Sequence, residues 1–234
     1  MLAIQDALTV IRLLIERSHA LGAPIHDTII VVGGTALSAH GIRAFTEDVD
    51  LYLRDFSDEA VFQLERELKS VYGEQFRLDV TATENLWGAI LLRDIDAHSP
   101  DYRTLEVAGR PYAIKALSVE DLFLLKLSAD REKDRQDLPL LAARTTANAL
   151  IARFNVVVPW HGQRPAVPRF ADEFVRQLER HYTLTPQHVI PQLKIPNFVV
   201  EMLWDTYYPE PADRPPNGST PSMPPPPPRS TPAP

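Results

Sequence analysis

The stretch that most constrains the fold is VVGGTALSAHGIRAFTEDVDLYL, Val31 to Leu53. It opens at the end of a β-branched run, TIIVV (Thr28 to Val32), which suits a short buried strand and stops at Gly33-Gly34. TALSAHG then reads as a short helix that starts at the glycines and ends at Gly41. DVDLYL follows with period-2 alternation, so Asp48, Asp50 and Tyr52 share one face of a strand while Val49, Leu51 and Leu53 share the other. Carboxylates are poor strand formers, and two on one face repel each other. Something must compensate that charge.

A divalent cation such as Mg²⁺ relieves the repulsion, because it takes oxygen ligands and accepts a few carboxylates together with phosphate oxygens. Two glycines between a strand and a helix let backbone approach a phosphate closely and aim helix N–H groups at it. Thr35 adds a hydroxyl. A third acid, Asp79 in FRLDV (Phe76 to Val80), lies on a neighbouring expected strand in the period that faces the same spot. Three acids beside a glycine turn are the donor set that two-metal phosphoryl chemistry needs.

Elsewhere the periodicity predicts a helix over about residues 3 to 20 and another over Ser57 to Tyr72, opened by a capping signal. YRTLEV–AGR–PYAIKAL reads as a hairpin with Ala108-Gly109 in its turn. Ser118 opens the strongly periodic VEDLFLLKLSADREKDRQDLPLLAAR with a capping box to Asp121, and Pro139 either starts a second helix or breaks the first. Phe170 to His181 is an amphipathic helix, and Gln187 to Trp204 holds short helical pieces interrupted by Pro191 and Pro196. From Pro209 onward, 12 of the chain's 22 prolines fall in 26 residues, a segment expected to be disordered with polyproline II around Pro224 to Pro228. The expected class is α+β: a small mixed β-sheet flanked by helices over residues 1–117, a helical region over 118–206 and a disordered Pro-rich tail over 207–234.

The chain of 234 residues has ordinary globular composition, 44 % apolar and 24 % charged. Its net charge of −7 makes any nucleic-acid contact a local matter. Cysteine is absent, which rules out disulfides and thiolate metal sites and fits a cytoplasmic protein. The N-terminal segment carries Asp6, Glu16 and arginines within its apolar pattern, so it is expected to be an amphipathic helix rather than a signal peptide, and no membrane contact is expected.

Gly33-Gly34-Thr35 followed by Asp48-Val49-Asp50 resembles the glycine-turn and paired-aspartate signature of the DNA polymerase β-like nucleotidyltransferase superfamily. More closely, GGTAL, HGIR and TEDVDL followed by LLKLSADREKDRQDL resemble the bacterial AbiEii/MenA-type nucleotidyltransferases, many of them toxins of toxin–antitoxin pairs, over Ile29 to Leu141. The resemblance implies a nucleotidyltransferase fold and an Mg²⁺- or Mn²⁺-dependent activity. Asp48, Asp50 and Asp79 would be the metal-binding catalytic acids. Gly33, Gly34 and Thr35 would hold the triphosphate of an NTP, with Arg43 and Lys126 on its phosphates. The acceptor it implies is tRNA or another RNA, with a cognate antitoxin as partner. A small molecule of the aminoglycoside type and a non-catalytic nucleotide- or partner-binding module are the competing readings.

Read from the residues alone, Lys126, Asp130, Asp134 and Asp137 would share one face of a continuous helix, within roughly 80° at about 100° per residue. That pattern fits an exposed salt-bridged face, yet Lys126 lies inside the apolar run LFLLKLSA, where a buried lysine requires an anionic partner. Lys133, Asp134 and Asp137 would then support it or pair helices. Asp94-Ile95-Asp96 with His98 imitates a metal motif without a glycine turn before it. His40, beside Gly41, reads as a helix-end residue, and Trp87, Trp160 and Trp204 as packing anchors. Arg164, Arg169, Arg176 and Arg180 are candidates for a local basic surface.

Overall fold

The computed structural model describes residues 1–81, 86–87, 90–158 and 166–209, with 86–87 described by backbone alone. Residues 210–234 of the expected Pro-rich tail, Trp160, Arg164 and the side chain of Trp87 lie outside the described residues, and Tyr207, expected at the start of that tail, is instead the last residue of a helix. Helix α1 (Ile4–Ala20) buries Leu8, Ile11, Leu14 and Ile15, the stripe that its helical spacing sets. Strand β1 (Thr28–Val31) is followed at once by helix α2 (Gly33–Ala39), and β2 (Val49–Tyr52) returns antiparallel, with Ile30 opposite Tyr52 and Val31 opposite Leu51. A pair of backbone hydrogen bonds between Leu2 and Thr46 pins the loop that enters β2 to the start of the chain.

Helix α3 (Asp58–Tyr72) is capped by the Ser57 side chain, which accepts from the Ala60 N–H. Strand β3 (Leu78–Thr81) then pairs parallel with β2. It starts two residues later than the expected Phe76, because Phe76 is still bonded back to Gly73 in the turn and contributes only its buried ring. After the short β4 (Leu86–Trp87), β5 (Ile90–Leu91) and helix α4 (Ile95–His98), the hairpin β6 (Asp101–Val107) and β7 (Arg110–Ala116) completes the sheet. Ala108 (φ 50°) and Gly109 (φ 76°) both take positive φ, as a type I′ turn requires. The five-stranded sheet runs β3-β2-β1-β7-β6, with β1/β7 and β2/β3 parallel and the other two pairs antiparallel. The fold is thus mixed α+β, a five-stranded mixed sheet flanked by helices.

Helix α5 (Val119–Ala129) is capped by Ser118 and is apolar nearly all round, which suits its place against α2 and the helices that follow. The continuous helix expected through Asp137 does not form. Asp130 adopts the left-handed conformation (φ 50°) and ends α5, and α6 (Glu132–Arg135) and α7 (Leu138–Ala142) follow as separate turns. Pro139 sits in the first turn of α7, where its missing N–H costs nothing. Helices α8 (Ala147–Val157), which the sequence reading did not single out, α9 (Ala166–Tyr182), α10 (Pro186–Val189) and α11 (Asn197–Tyr207) complete the chain. One cluster of buried apolar residues runs from Leu2 to Leu203. No helix among the described residues is long and apolar enough to cross a membrane.

Candidate active site

A cleft of ≈400 Å³ opens at the β3 edge of the sheet, lined on the sheet side by Gly33, Asp50, Asp79 and Thr81 and on the helix side by Lys126 and Arg131. Asp50 and Asp79 stand directly opposite each other in the parallel β2/β3 register, so their side chains leave the same face. This is the juxtaposition that the alternation in DVDLYL and FRLDV predicts. Asp48 lies one residue before β2 and does not line the cleft.

The two glycines answer to different side chains, Gly33 to Asp50 and Gly34 to Thr46, whose Oγ1 would stand 2.5 Å from a Cβ there. Gly33 has φ +52°, and a Cβ there would stand 2.9 Å from the Asp50 Cγ, so any side chain collides with the carboxylate. The Gly34 N–H donates to Asp50 Oδ2 at 3.1 Å. Thr35 is fully buried, and its hydroxyl is committed within the protein: it donates to the Asp48 carbonyl at 3.2 Å and accepts from the Asp50 N–H at 3.1 Å. Thr46 donates to the same Asp48 carbonyl at 3.0 Å. The two hydroxyls therefore fix the backbone between the two aspartates.

The electrostatics follow from this crowding. Burial pushes the Asp50 carboxyl up to about 6; the charges of Asp48 and Asp79 push the same way, against the Gly34 N–H and Lys126. Asp48 is also raised, by burial first, with Lys133 opposing. Oxygen-only donors that raise one another suit a hard cation such as Mg²⁺. As donors they fit, yet among the described residues no three acidic or histidine side chains are gathered as a ligand set, so no coordination geometry follows.

Lys126 is buried and finds its anions inside the protein. Its Nζ lies 2.6 Å from Asp134 Oδ1 and 3.2 Å from Asp137 Oδ2. The second oxygen receives charge without a hydrogen bond, being close to Nζ but poorly aligned with it. Arg131 pairs with the other oxygen of Asp134, and Arg43 with Asp137 at 2.6 Å. Burial works to raise Asp134, and the hydrogen bonds from Arg131 and Lys126 outweigh it, holding the carboxyl below its ordinary range. Asp134 and Asp137 thus reach Lys126 by reversal of the chain. Asp130 turns away and pairs with Arg135 and Arg169.

Of the expected site residues, Gly33, Asp50, Asp79 and Lys126 line the cleft. Gly34 and Thr35 support Asp50 from behind, and Arg43 is tied to Asp137. Arg131 and Thr46 had no assigned part. Asp130 held the signal for Arg131, because aspartate tolerates the left-handed conformation that closes a helix. The Asp94–Asp96 imitation is spent on structure: Asp96 accepts from Lys115 at 2.8 Å. His40 closes α2 and donates from Nε2 to the Leu117 carbonyl at 2.7 Å.

No family model matches the chain, and neither a curated protein nor a solved structure matches it. Fold and site together define it by geometry: a mixed α+β protein with paired aspartates in a cleft at the edge of its sheet.

Proposed function

We propose that the protein is an Mg²⁺-dependent nucleotidyltransferase with a nucleotidyltransferase-type core, transferring NMP from an NTP to an acceptor hydroxyl in the cytoplasm. The observation that carries this reading is the Asp50–Asp79 pair, in register on adjacent strands, with Gly33 packed so closely on the Asp50 carboxylate that no Cβ fits there. Asp50 and Asp79, with Asp48 from the residue before β2, would hold the metal. A bound divalent cation would supply positive charge for the oxygens around the α-phosphorus. Lys126 and Arg131 are the cations of the cleft and would face the triphosphate. Asp79, which is exposed, would accept the acceptor's proton. RNA, tRNA included, is the acceptor class this reading favours, and a cognate antitoxin its partner.

A binding module without catalysis is favoured by a different observation. Lys126 and Arg131 are both held by Asp134, and the three acids are not gathered as ligands among the described residues. One experiment separates the two. Incubated with Mg²⁺, total RNA and each NTP in turn, the protein should move α-label into RNA, while γ-label leaves with pyrophosphate. Transfer of γ-label would make it a kinase. Retention of NTP without transfer to RNA, protein or aminoglycoside would make it a binding module.

A further inference from the structure

A second cleft, larger than the acidic one, lies among the helices. A groove of ≈880 Å³ lies between α9 and the turn after α5, with Arg135, Arg169, Arg176 and Arg180 in its wall beside Asp130 and Glu173. Four guanidinium groups stand against Asp130, Glu173 and the Asp172 that pairs with Arg176, a local excess of +1 in a chain whose net charge is −7. We propose that this groove binds the phosphodiester chain of a single-stranded nucleic acid. Its role as the acceptor track rests on the transferase reading above.

Spacing favours a chain over a single anion. Arg169, Arg176 and Arg180 are seven and four residues apart on α9, about two turns and one turn, so they stay on one face. From Arg169 to Arg180 the helix rises roughly 16 Å, too far for one phosphate and suited to a row of them.

These cations are also available. The Arg169 side chain is 83 % exposed and pairs with Asp130, itself part-exposed; such a pair is weak and exchanges readily for the forked acceptors of a phosphate. Arg176 is held by Asp172 at 3.2 Å on its own helix, and Arg180 makes no ion pair among the described residues. The interspersed Asp130 and Glu173 can accept hydrogen bonds from base amino groups, which a run of peptide carboxylates does not offer.

The groove also leads somewhere. Ala129 lines both clefts; the next residue, Asp130, faces the arginines, and Arg131 faces Asp50 and Asp79. A strand lying along α9 would bring its end to the acidic cleft across these three residues.

The test measures binding apart from chemistry. Fluorescein-labelled oligouridylate and oligodeoxythymidylate of about 12 nucleotides are titrated with the full chain in EDTA without NTP, and anisotropy is followed. Arg169→Glu/Arg180→Glu should weaken binding about tenfold or more, and should make the dependence of log K on log salt shallower by roughly 1.4 for two lost contacts. Thermal melting checks that the variant folds; Arg180→Gln, at an exposed and unpaired position, should give a smaller loss of the same kind if the double variant does not fold. Arg66→Gln, an exposed arginine on α3 that lines neither cleft, should bind as the parent does. The tighter of the ribose and deoxyribose strands names the source of the chain. Unchanged affinity in the arginine variants would overturn the proposal, as would full competition by inorganic tripolyphosphate at equal phosphate concentration. Binding as expected without α-label transfer would leave the groove standing and remove only the transferase reading.

Discussion

Asp50 is a carboxylate that the fold keeps at a cost, and that cost depends on pH. In the folded protein it holds its proton up to about pH 6, whereas in the unfolded chain it releases it near pH 4. Between these values the folded state binds more protons, so rising pH subtracts stability, and above the folded pKa the ionised group destabilises the metal-free protein by about 2–3 kcal/mol. Asp50→Asn, which can still accept from Gly34, should therefore be more stable than the parent by that amount at about pH 8, and the difference should vanish near pH 4. Chemical denaturation in EDTA at the two pH values measures it. Equal stability at the higher pH would show that burial and the neighbouring acids do not strain Asp50. On the proposed metal role, millimolar Mg²⁺ should raise the melting temperature of the parent and leave that of the variant unchanged, since only the parent would gain by binding the ion.

At the level of the element, the β6–β7 hairpin carries a local conflict. Its turn puts Ala108 at φ 50°, where a Cβ crowds the following carbonyl, while Gly109 bears its positive φ freely. Asn-Gly is the preferred pair for this turn, so Ala108→Asn should stabilise the protein by about 0.5–1 kcal/mol, read as a higher denaturation midpoint at unchanged slope. β1 is paired along its whole length with the second half of β7, Thr28 opposite Ala113 to Val31 opposite Ala116. The turn therefore helps register the strand that leads into the glycines. A loss of stability on substitution would mean that the Ala108 methyl makes a contact worth more than the backbone strain.

Across the whole molecule, the network of Arg43, Asp137, Lys126, Asp134 and Arg131 ties the loop before β2 to α5 and the turns after it. Asp134, Asp137 and Lys126 are all buried, so removing the lysine leaves carboxylates short of a partner in a place without water. Lys126→Met should cost about 3 kcal/mol of stability. Lys126→Met/Asp134→Asn should recover part of the loss, giving a coupling energy in a double-mutant cycle of denaturation midpoints. Strict additivity of the two changes would mean that the pair does not interact. The same result bears on function: a fall in nucleotide affinity in the single variant counts only after its fraction folded is known.

The sequence by itself determined the elements whose signal is local. The Ser57 and Ser118 caps, the Ala108-Gly109 turn, the stop of β1 at the glycines and the alternation that puts Asp50 and Tyr52 on one face all depend on residues within a few positions of one another. It also put Asp79 in the period that meets Asp50. Tertiary structure alone decided what each polar group meets. Thr35 had the chemistry to reach a phosphate, but its hydroxyl is buried between two backbone groups of the β2 entry. Lys126 had to find an anion; a helical wheel puts Asp134 and Asp137 on its face but about two and three turns away, and only the break at Asp130 brings them into contact with it. Local spacing says which way a side chain points. A partner from another part of the chain is chosen by packing, because burial makes an unpaired charge or hydroxyl too costly to leave.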